Sequence, residues 1–157
     1  MPAAPPPTAA ATTTAAAAGH ETRQAVESVA RLARLLERRC DELSLAHYRV
    51  LAAVAGGDER ASRVARRLAL GKPAVSAAVD ALVARGLLER SEVITDQRAV
   101  RLALTTEGGA ALDRVEREMT AALATVAALT PDPEAAVAAL AELGRALDTY
   151  LSERERA

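Results

Sequence analysis

Cationic side chains crowd one short stretch of the chain. Arg60, Arg63, Arg66, Arg67, Lys72, Arg85, Arg90, Arg98 and Arg101 face only Asp80, Glu89, Glu92 and Asp96, so nine cations against four acids give residues 60–101 a charge of +5. The flanks do the opposite: six Arg meet seven acids in residues 1–59 and five Arg meet ten acids in residues 102–157, which brings the whole chain to −1. Guanidinium and ammonium groups bind phosphate oxygens, and a local excess of them is the electrostatic footprint of a polyanion. The plain alternative is a solvated surface on which charges cluster by chance.

Other chemistries find little to stand on. One cysteine, Cys40, and two histidines, His20 and His47, leave no internal disulfide and no Cys/His metal cluster, so neither a metal nor a cofactor is expected. Acidic residues fall on solvated helix faces, and there is no nucleophile motif or phosphate loop, which argues against an enzyme. With no Trp or Phe and only Tyr48 and Tyr150, the aromatic platforms of single-strand binders are missing. Met1 to Gly19 is rich in Ala, Thr and Pro without a basic or Leu-rich run, and reads as a disordered, uncleaved tail. Beyond Gly19, Arg or Glu interrupts each apolar stretch well short of the roughly 20 residues of a membrane span. A soluble protein in a reducing, cytoplasmic setting fits best.

The elements that must position the cations are mostly helical, since 40 of the 157 residues are alanine. Val26, Val29, Leu32, Leu35 and Leu36 recur at helical spacing and predict a first helix over about residues 21–42. Ser44 can cap a second helix that carries Val50, Leu51 and Val54 and stops at Gly56-Gly57. Ala61 to Leu70 reads as a short helix with Val64, Ala65 and Leu68 on one face. Gly71 and Pro73 then open a fourth helix. There Val75, Val79, Leu82 and Val83 turn inward, which leaves Lys72, Ala74, Ser76, Ala77 and Asp80 outward or sideways. Two short helices across a Gly-containing turn make a helix-turn-helix pattern.

Leu87 to Leu104 continues as a two-stranded hairpin in which Val100, Leu102 and Leu104 alternate with Arg101 and Ala103. A hairpin in that place is a wing, and Arg90, Arg98 and Arg101 lie near it. Thr105 or Thr106 caps a long helix to about residue 129, whose Gly108-Gly109 pair, at roughly 1 kcal/mol each in lost helix propensity, suggests close packing. Asp132 and Pro133 open the last helix, to about residue 153, with Val137, Leu140, Leu143, Leu147 and Leu151 in one stripe. The first, fifth and sixth helices together offer more apolar face than the basic module covers. A second copy of the chain would bury it.

Several segments in this order resemble the MarR family of bacterial transcription regulators. They are Leu43-Ser44-Leu45 through Val50-Leu51, Val64-Ala65-Arg66-Arg67-Leu68, Lys72-Pro73-Ala74-Val75-Ser76, Leu82 to Arg90, Asp96-Gln97-Arg98, and Leu102 to Gly108. The resemblance implies a mainly α fold with a small two- or three-stranded antiparallel wing. A winged helix-turn-helix over about residues 44–104 would sit within a single domain of residues 20–157, flanked by dimerisation helices. It implies a DNA-binding regulator, most simply a repressor, that grips a pseudo-palindromic duplex as a homodimer. The helix from Lys72 would lie in the major groove, and Arg98 at the wing tip would enter the minor groove. Arg suits the negative potential of a narrow minor groove, and phosphates take the remaining cations.

The residues expected at DNA are therefore Arg63, Lys72, Pro73, Ala74, Ser76, Ala77, Arg90, Asp96, Arg98 and Arg101. Asp96 either orients a wing arginine, as the resemblance implies, or is an ordinary turn Asp. Ser76 either donates to a base or phosphate or faces solvent. Where many relatives carry a long polar residue after the position of Ser76, this chain has Ala77-Ala78, which offer only methyl contacts, for instance to thymine. Val93-Ile94 and Gln97 make the wing less basic than usual, which lowers the expected salt dependence. The other class of function left open is a winged-helix dimer that serves as a ligand-binding or protein-interaction module.

Many members of the family release DNA on binding a small phenolic or other anionic effector. The polar residues that suit such a ligand here are His20, Arg23, His47, Tyr48 and Arg49, with helix-start bonding and packing as the ordinary roles of His47 and Tyr48. Other members respond to cysteine oxidation. Arg38 and Arg39 beside Cys40 favour a thiolate, whereas the lack of a resolving cysteine favours an inert, half-buried thiol.

Overall fold

The computed structural model describes residues 9–93 and 96–154, with side chains described for residues 19–91 and 101–154. It divides into two compact units, Met1–Leu36 and Glu37–Ala157. The first is essentially one helix, α1 (Ala9–Glu37). Its start corrects the expectation of a disordered tail over residues 1–19, because Ala9–Gly19 is helical; residues 1–8 lie outside the described residues. Alanine is the strongest helix former, and Ala9-Ala10-Ala11 and Ala15 to Ala18 outweigh three intervening threonines. The helix also ends earlier than expected, at Glu37 instead of about residue 42.

The second unit runs α2 (Leu45–Ala55), α3 (Ala61–Arg67), α4 (Lys72–Ala84), β1 (Leu88–Val93), β2 (Asp96–Leu104), α5 (Thr106–Ala127) and α6 (Pro133–Arg154). The starts of α2, α5 and α6 have the side-chain caps that the sequence predicts. Ser44 Oγ accepts from the His47 N–H at 3.2 Å, Thr105 Oγ1 from Gly108 at 2.9 Å, and Asp132 Oδ1 from Ala135 at 3.0 Å. These bonds satisfy amides that a helix leaves free at its N-terminus. α2 stops at Gly56-Gly57, where Gly57 has φ +99°, and α4 at Arg85-Gly86, where Gly86 has φ +70°.

One core holds the small module together. Leu43, Val50, Leu51, Val64, Val75, Val79, Leu82, Leu88, Leu102, Ala111 and Val115 are all buried. They bring α2, α3, α4, the hairpin and the first turns of α5 onto one another. The antiparallel hairpin pairs Leu88 with Leu104 and Arg90 with Leu102, and a register shift at Glu92/Val93 precedes the Val93–Asp96 pair. The Leu102 N–H also donates to the Glu59 carbonyl at 2.7 Å. The wing therefore has two strands, with one backbone bond from the chain just before α3 where a third strand would lie.

α5 is fastened to the end of α4 through backbone contact. Thr105 Oγ1 donates to the Gly86 carbonyl at 2.7 Å. Gly108 packs so tightly that a Cβ there would overlap the Leu87 carbonyl oxygen, whereas a Cβ on Gly109 would meet nothing within 4 Å. The close packing expected at the glycine pair is thus confined to Gly108. α6 buries none of its residues, and Val137, Leu143, Leu147 and Tyr150 on it are exposed, as is Leu129 before it. Among the described residues no helix is long and apolar enough to cross a membrane.

Candidate nucleic-acid interface

The fourth helix sets the site. Gly71 at its N-cap is extended (φ −61°, ψ 141°) and Pro73 fills its first turn, so the helix begins at Lys72 without wasting an amide. Val75, Val79 and Leu82 are buried, which fixes the rotation of the helix about its axis. Lys72, Pro73, Ala74, Ser76, Ala77 and Asp80 are left exposed. Pro73, Ser76, Ala77 and Asp80 are spaced by three, four and seven residues and so form a single outward stripe.

The wing is tied to that stripe. Arg90 of β1 makes an ion pair with Asp80 of α4, and Arg90 and Ser76 line one hollow of about 230 Å³ between helix and wing. Arg101 of β2 pairs with Glu59 at 2.8 Å, beside the backbone bond from Leu102. Arg90 and Arg101, two of the arginines expected at DNA, are therefore engaged within the protein. Arg67 pairs with Asp58 at 3.4 Å and Arg85 donates to the Glu42 carbonyl at 2.9 Å. Among the described residues Arg60, Arg63, Arg66 and Lys72 have neither an ion pair nor a side-chain hydrogen bond. Arg63 and Arg66 line a hollow of about 340 Å³ together with Asp148, Leu151 and Ser152 of α6. Asp96 and Arg98 are the first and third residues of β2, and their side chains lie outside the described residues.

The residues expected at an effector divide between the two units. His20 and Arg23 belong to α1, and His47, Tyr48 and Arg49 to α2. Ser44 accepts from the His47 N–H, and burial, with the Arg85 charge second, holds the His47 imidazole below its ordinary pKa. Tyr48 packs against the core, and burial pushes its phenol up. The Arg49 guanidinium donates to the Leu68 carbonyl at 3.0 Å and so braces α2 against the end of α3. Cys40 is 8 % exposed. Burial first, then Glu118, Asp41 and Glu37, push its thiol up. Of the two readings of Cys40, burial and the neighbouring carboxylates favour the inert thiol over the thiolate.

Sequence reasoning missed two features. Asp80 was placed on the outward face with no partner, because a helix-to-strand ion pair leaves no periodic signal. The Arg114 guanidinium bonds Glu42 at 2.7 and 3.0 Å and Glu107 at 2.9 Å, a clamp between the start of α5 and the loop before α2. Its 72-residue separation from Glu42 hides it from any local pattern.

Residues 42–99 match the MarR family model. Among solved structures, MarR from E. coli in its apo form is 22 % identical with TM-score 0.68, over 77 % of this chain and 93 % of that one. CouR from Rhodococcus jostii RHA1, bound to p-coumaroyl-CoA, is 20 % identical with TM-score 0.66, over 78 % and 87 %. The transcriptional repressor CouR bound to a 23-mer DNA duplex is 23 % identical with TM-score 0.69, over 79 % and 89 %. No curated protein matches the sequence. With α3 and α4 as the helix pair, β1 and β2 as the wing and α5 following directly, residues 42–99 are similar to the MarR family, and the chain has the winged helix-turn-helix fold seen in those solved structures.

Proposed function

We propose that the protein is a transcriptional regulator, most simply a repressor, that binds a pseudo-palindromic duplex as a homodimer. The observation that carries this reading is the outward stripe of α4. The helix is locked by its buried face, tied to the wing through Arg90–Asp80, and presents its other face to solvent beside the unpaired Lys72. A helix so placed enters the major groove, and a wing beside it reaches the neighbouring minor groove or backbone. Arg98, three residues into the outgoing strand, takes the minor groove.

The exposed apolar stripe of α6 supports the dimer. A two-fold pair of such stripes would bury Val137, Leu143 and Leu147 against their copies, and two-fold symmetry of the protein matches half-sites roughly one turn of duplex apart. A small phenolic or other anionic effector that releases DNA belongs to the same reading, supported by a neighbour that holds p-coumaroyl-CoA. The hollow at Arg63 and Arg66 and the residues His47 and Tyr48 are the places to look for it.

The test is titration of the full chain against the duplex upstream of its own gene and against a random duplex pool, at two salt concentrations, with Arg98→Ala in parallel. Nanomolar, salt-sensitive binding that Arg98→Ala weakens at least tenfold is expected. If every duplex binds no better than micromolar at low salt, the regulator reading fails in favour of a ligand-binding or protein-interaction module.

A further inference from the structure

We propose that α4 reads thymine through its 5-methyl group, with the Ala77 methyl as the contact, and reads no purine by paired hydrogen bonds. The inference rests on the duplex-binding reading above and says which feature of the duplex that helix recognises.

Discrimination between base pairs in the major groove depends on reach and on the donor pattern. Guanine is read by Arg or Lys on O6 and N7, adenine by Asn or Gln on N6 and N7, cytosine by a carboxylate on N4, and thymine by an apolar group on its methyl. The outward stripe of α4 has no Arg, Asn or Gln. Its one carboxylate, Asp80, is held by Arg90 of β1, so the acid that would take cytosine and the guanidinium that would take guanine satisfy each other. Ser76 is exposed, but a hydroxyl bonds donors and acceptors alike and separates bases poorly.

Lys72 is the first residue of the helix. There the free amides and the positive end of the helix dipole attract phosphate, and we assign Lys72 to the backbone with them. What remains in the middle of the stripe is apolar and short. Ala77 is exposed and Ala78 turns partly into the core, so one methyl stands at the centre with the Pro73 ring one turn before it. A short side chain also lets the helix backbone lie close to the base edges, where methyl meets methyl.

The experiment selects duplexes from a random pool with the full chain and then replaces selected thymines by deoxyuridine, which removes the methyl alone. Deoxyuridine at thymines outside the selected half-sites controls for duplex shape. Burial of one methyl predicts about fourfold weaker binding per substituted half-site and about fifteenfold for both. Ala77→Gly should abolish the difference between thymine and uracil duplexes. Ala77→Ser, which keeps a Cβ, should reduce it and guards against a folding defect in the glycine variant. Lys72→Ala should weaken all duplexes alike without relaxing any one base position.

Salt-sensitive binding that is unchanged by deoxyuridine at every selected thymine overturns the proposal, as does full uracil sensitivity in both Ala77 variants. A Lys72→Ala variant that relaxes a guanine position overturns the exclusion of purine reading. If no duplex binds in a salt-sensitive way, the regulator reading itself has failed and this one goes with it.

Discussion

Gly108 and Gly109 are neighbours in the first turns of α5, and replacing each by alanine should move stability in opposite directions. On helix propensity alone either substitution stabilises by about 1 kcal/mol, since glycine loses more backbone freedom on folding than alanine does. At Gly109 nothing lies within 4 Å of the added Cβ, so Gly109→Ala should gain about 0.5–1 kcal/mol. At Gly108 the Cβ overlaps the Leu87 carbonyl oxygen and stands 2.8 Å from its carbonyl carbon and 3.2 Å from its Cα. Backbone atoms cannot swing away as the tip of a flexible side chain does. Leu87 is further held by its own N–H to the Leu82 carbonyl at 2.9 Å, and its carbonyl accepts from Thr105 at 3.3 Å.

Relief of the overlap at Gly108 therefore requires α5 to shift off the end of α4. Overpacking of this kind costs about 1–3 kcal/mol or more, and the propensity gain offsets about 1 of it. Gly108→Ala should thus be destabilised by up to about 2 kcal/mol net and Gly109→Ala stabilised by about 0.5–1 kcal/mol, a separation of up to about 3 kcal/mol. Urea denaturation at one fixed protein concentration reads both, and the fixed concentration matters because self-association shifts the apparent midpoint. A Gly108→Ala midpoint equal to or above that of the parent refutes the close approach, and with it the fastening of α5 to the winged-helix module.

Two further outcomes are expected. Leu143→Asp or Leu147→Asp on the exposed stripe of α6 should convert a dimer to a monomer by sedimentation while leaving helical content intact, because neither side chain packs inside its own chain; a dimer that persists in both variants removes α6 from the interface. Hydrogen bonds from Arg114 hold the Glu42 carboxyl below its ordinary range. Its contribution to stability is thus full above the unfolded value of about 4.3 and is lost as pH falls through the lower folded value. The urea midpoints of the parent and Glu42→Gln should differ at pH 6 and converge toward pH 3, by a small amount because the pair is exposed; a gap that stays constant with pH refutes the assignment.

Most of the fold was legible because its signals are local. Ser44, Thr105 and Asp132 each announced a helix start from the residue type and its position before an apolar run. Val75, Val79 and Leu82 announced which face of α4 turns inward. What was hidden depends on pairs distant in sequence or on competition between effects. The start of α1 was misjudged because the prolines and threonines near the N-terminus drew more weight than the alanines between and after them. The Arg90–Asp80 pair was not legible because nothing local announces that Asp80, ten residues earlier on another element, lies within reach of Arg90. For Cys40 the sequence favours an inert, half-buried thiol from the lack of a resolving cysteine, but the part played by Glu118 of α5 is hidden by its distance along the chain.

The same distinction changes what the basic block can do electrostatically. Its excess of +5 is a count of charges, but a charge already paired to a carboxylate releases few counterions when it meets DNA. Arg67, Arg90 and Arg101 are paired in this way, and Arg85 is spent on a carbonyl. Among the described residues of the block the cations left for phosphate are Arg60, Arg63, Arg66 and Lys72, and the proposed groove contact of Arg98 would add a fifth. If all five in each protomer of a dimer met phosphates, the slope of log K against log salt would approach about −9, at about −0.9 for each neutralised phosphate. Arg63 and Arg66 line the hollow against α6, and their withdrawal brings the slope to about −5. A measured slope near −5 assigns those two arginines to the α6 hollow, one near −9 assigns them to DNA, and one steeper still requires Arg67, Arg85, Arg90 or Arg101 to leave its partner when the duplex binds.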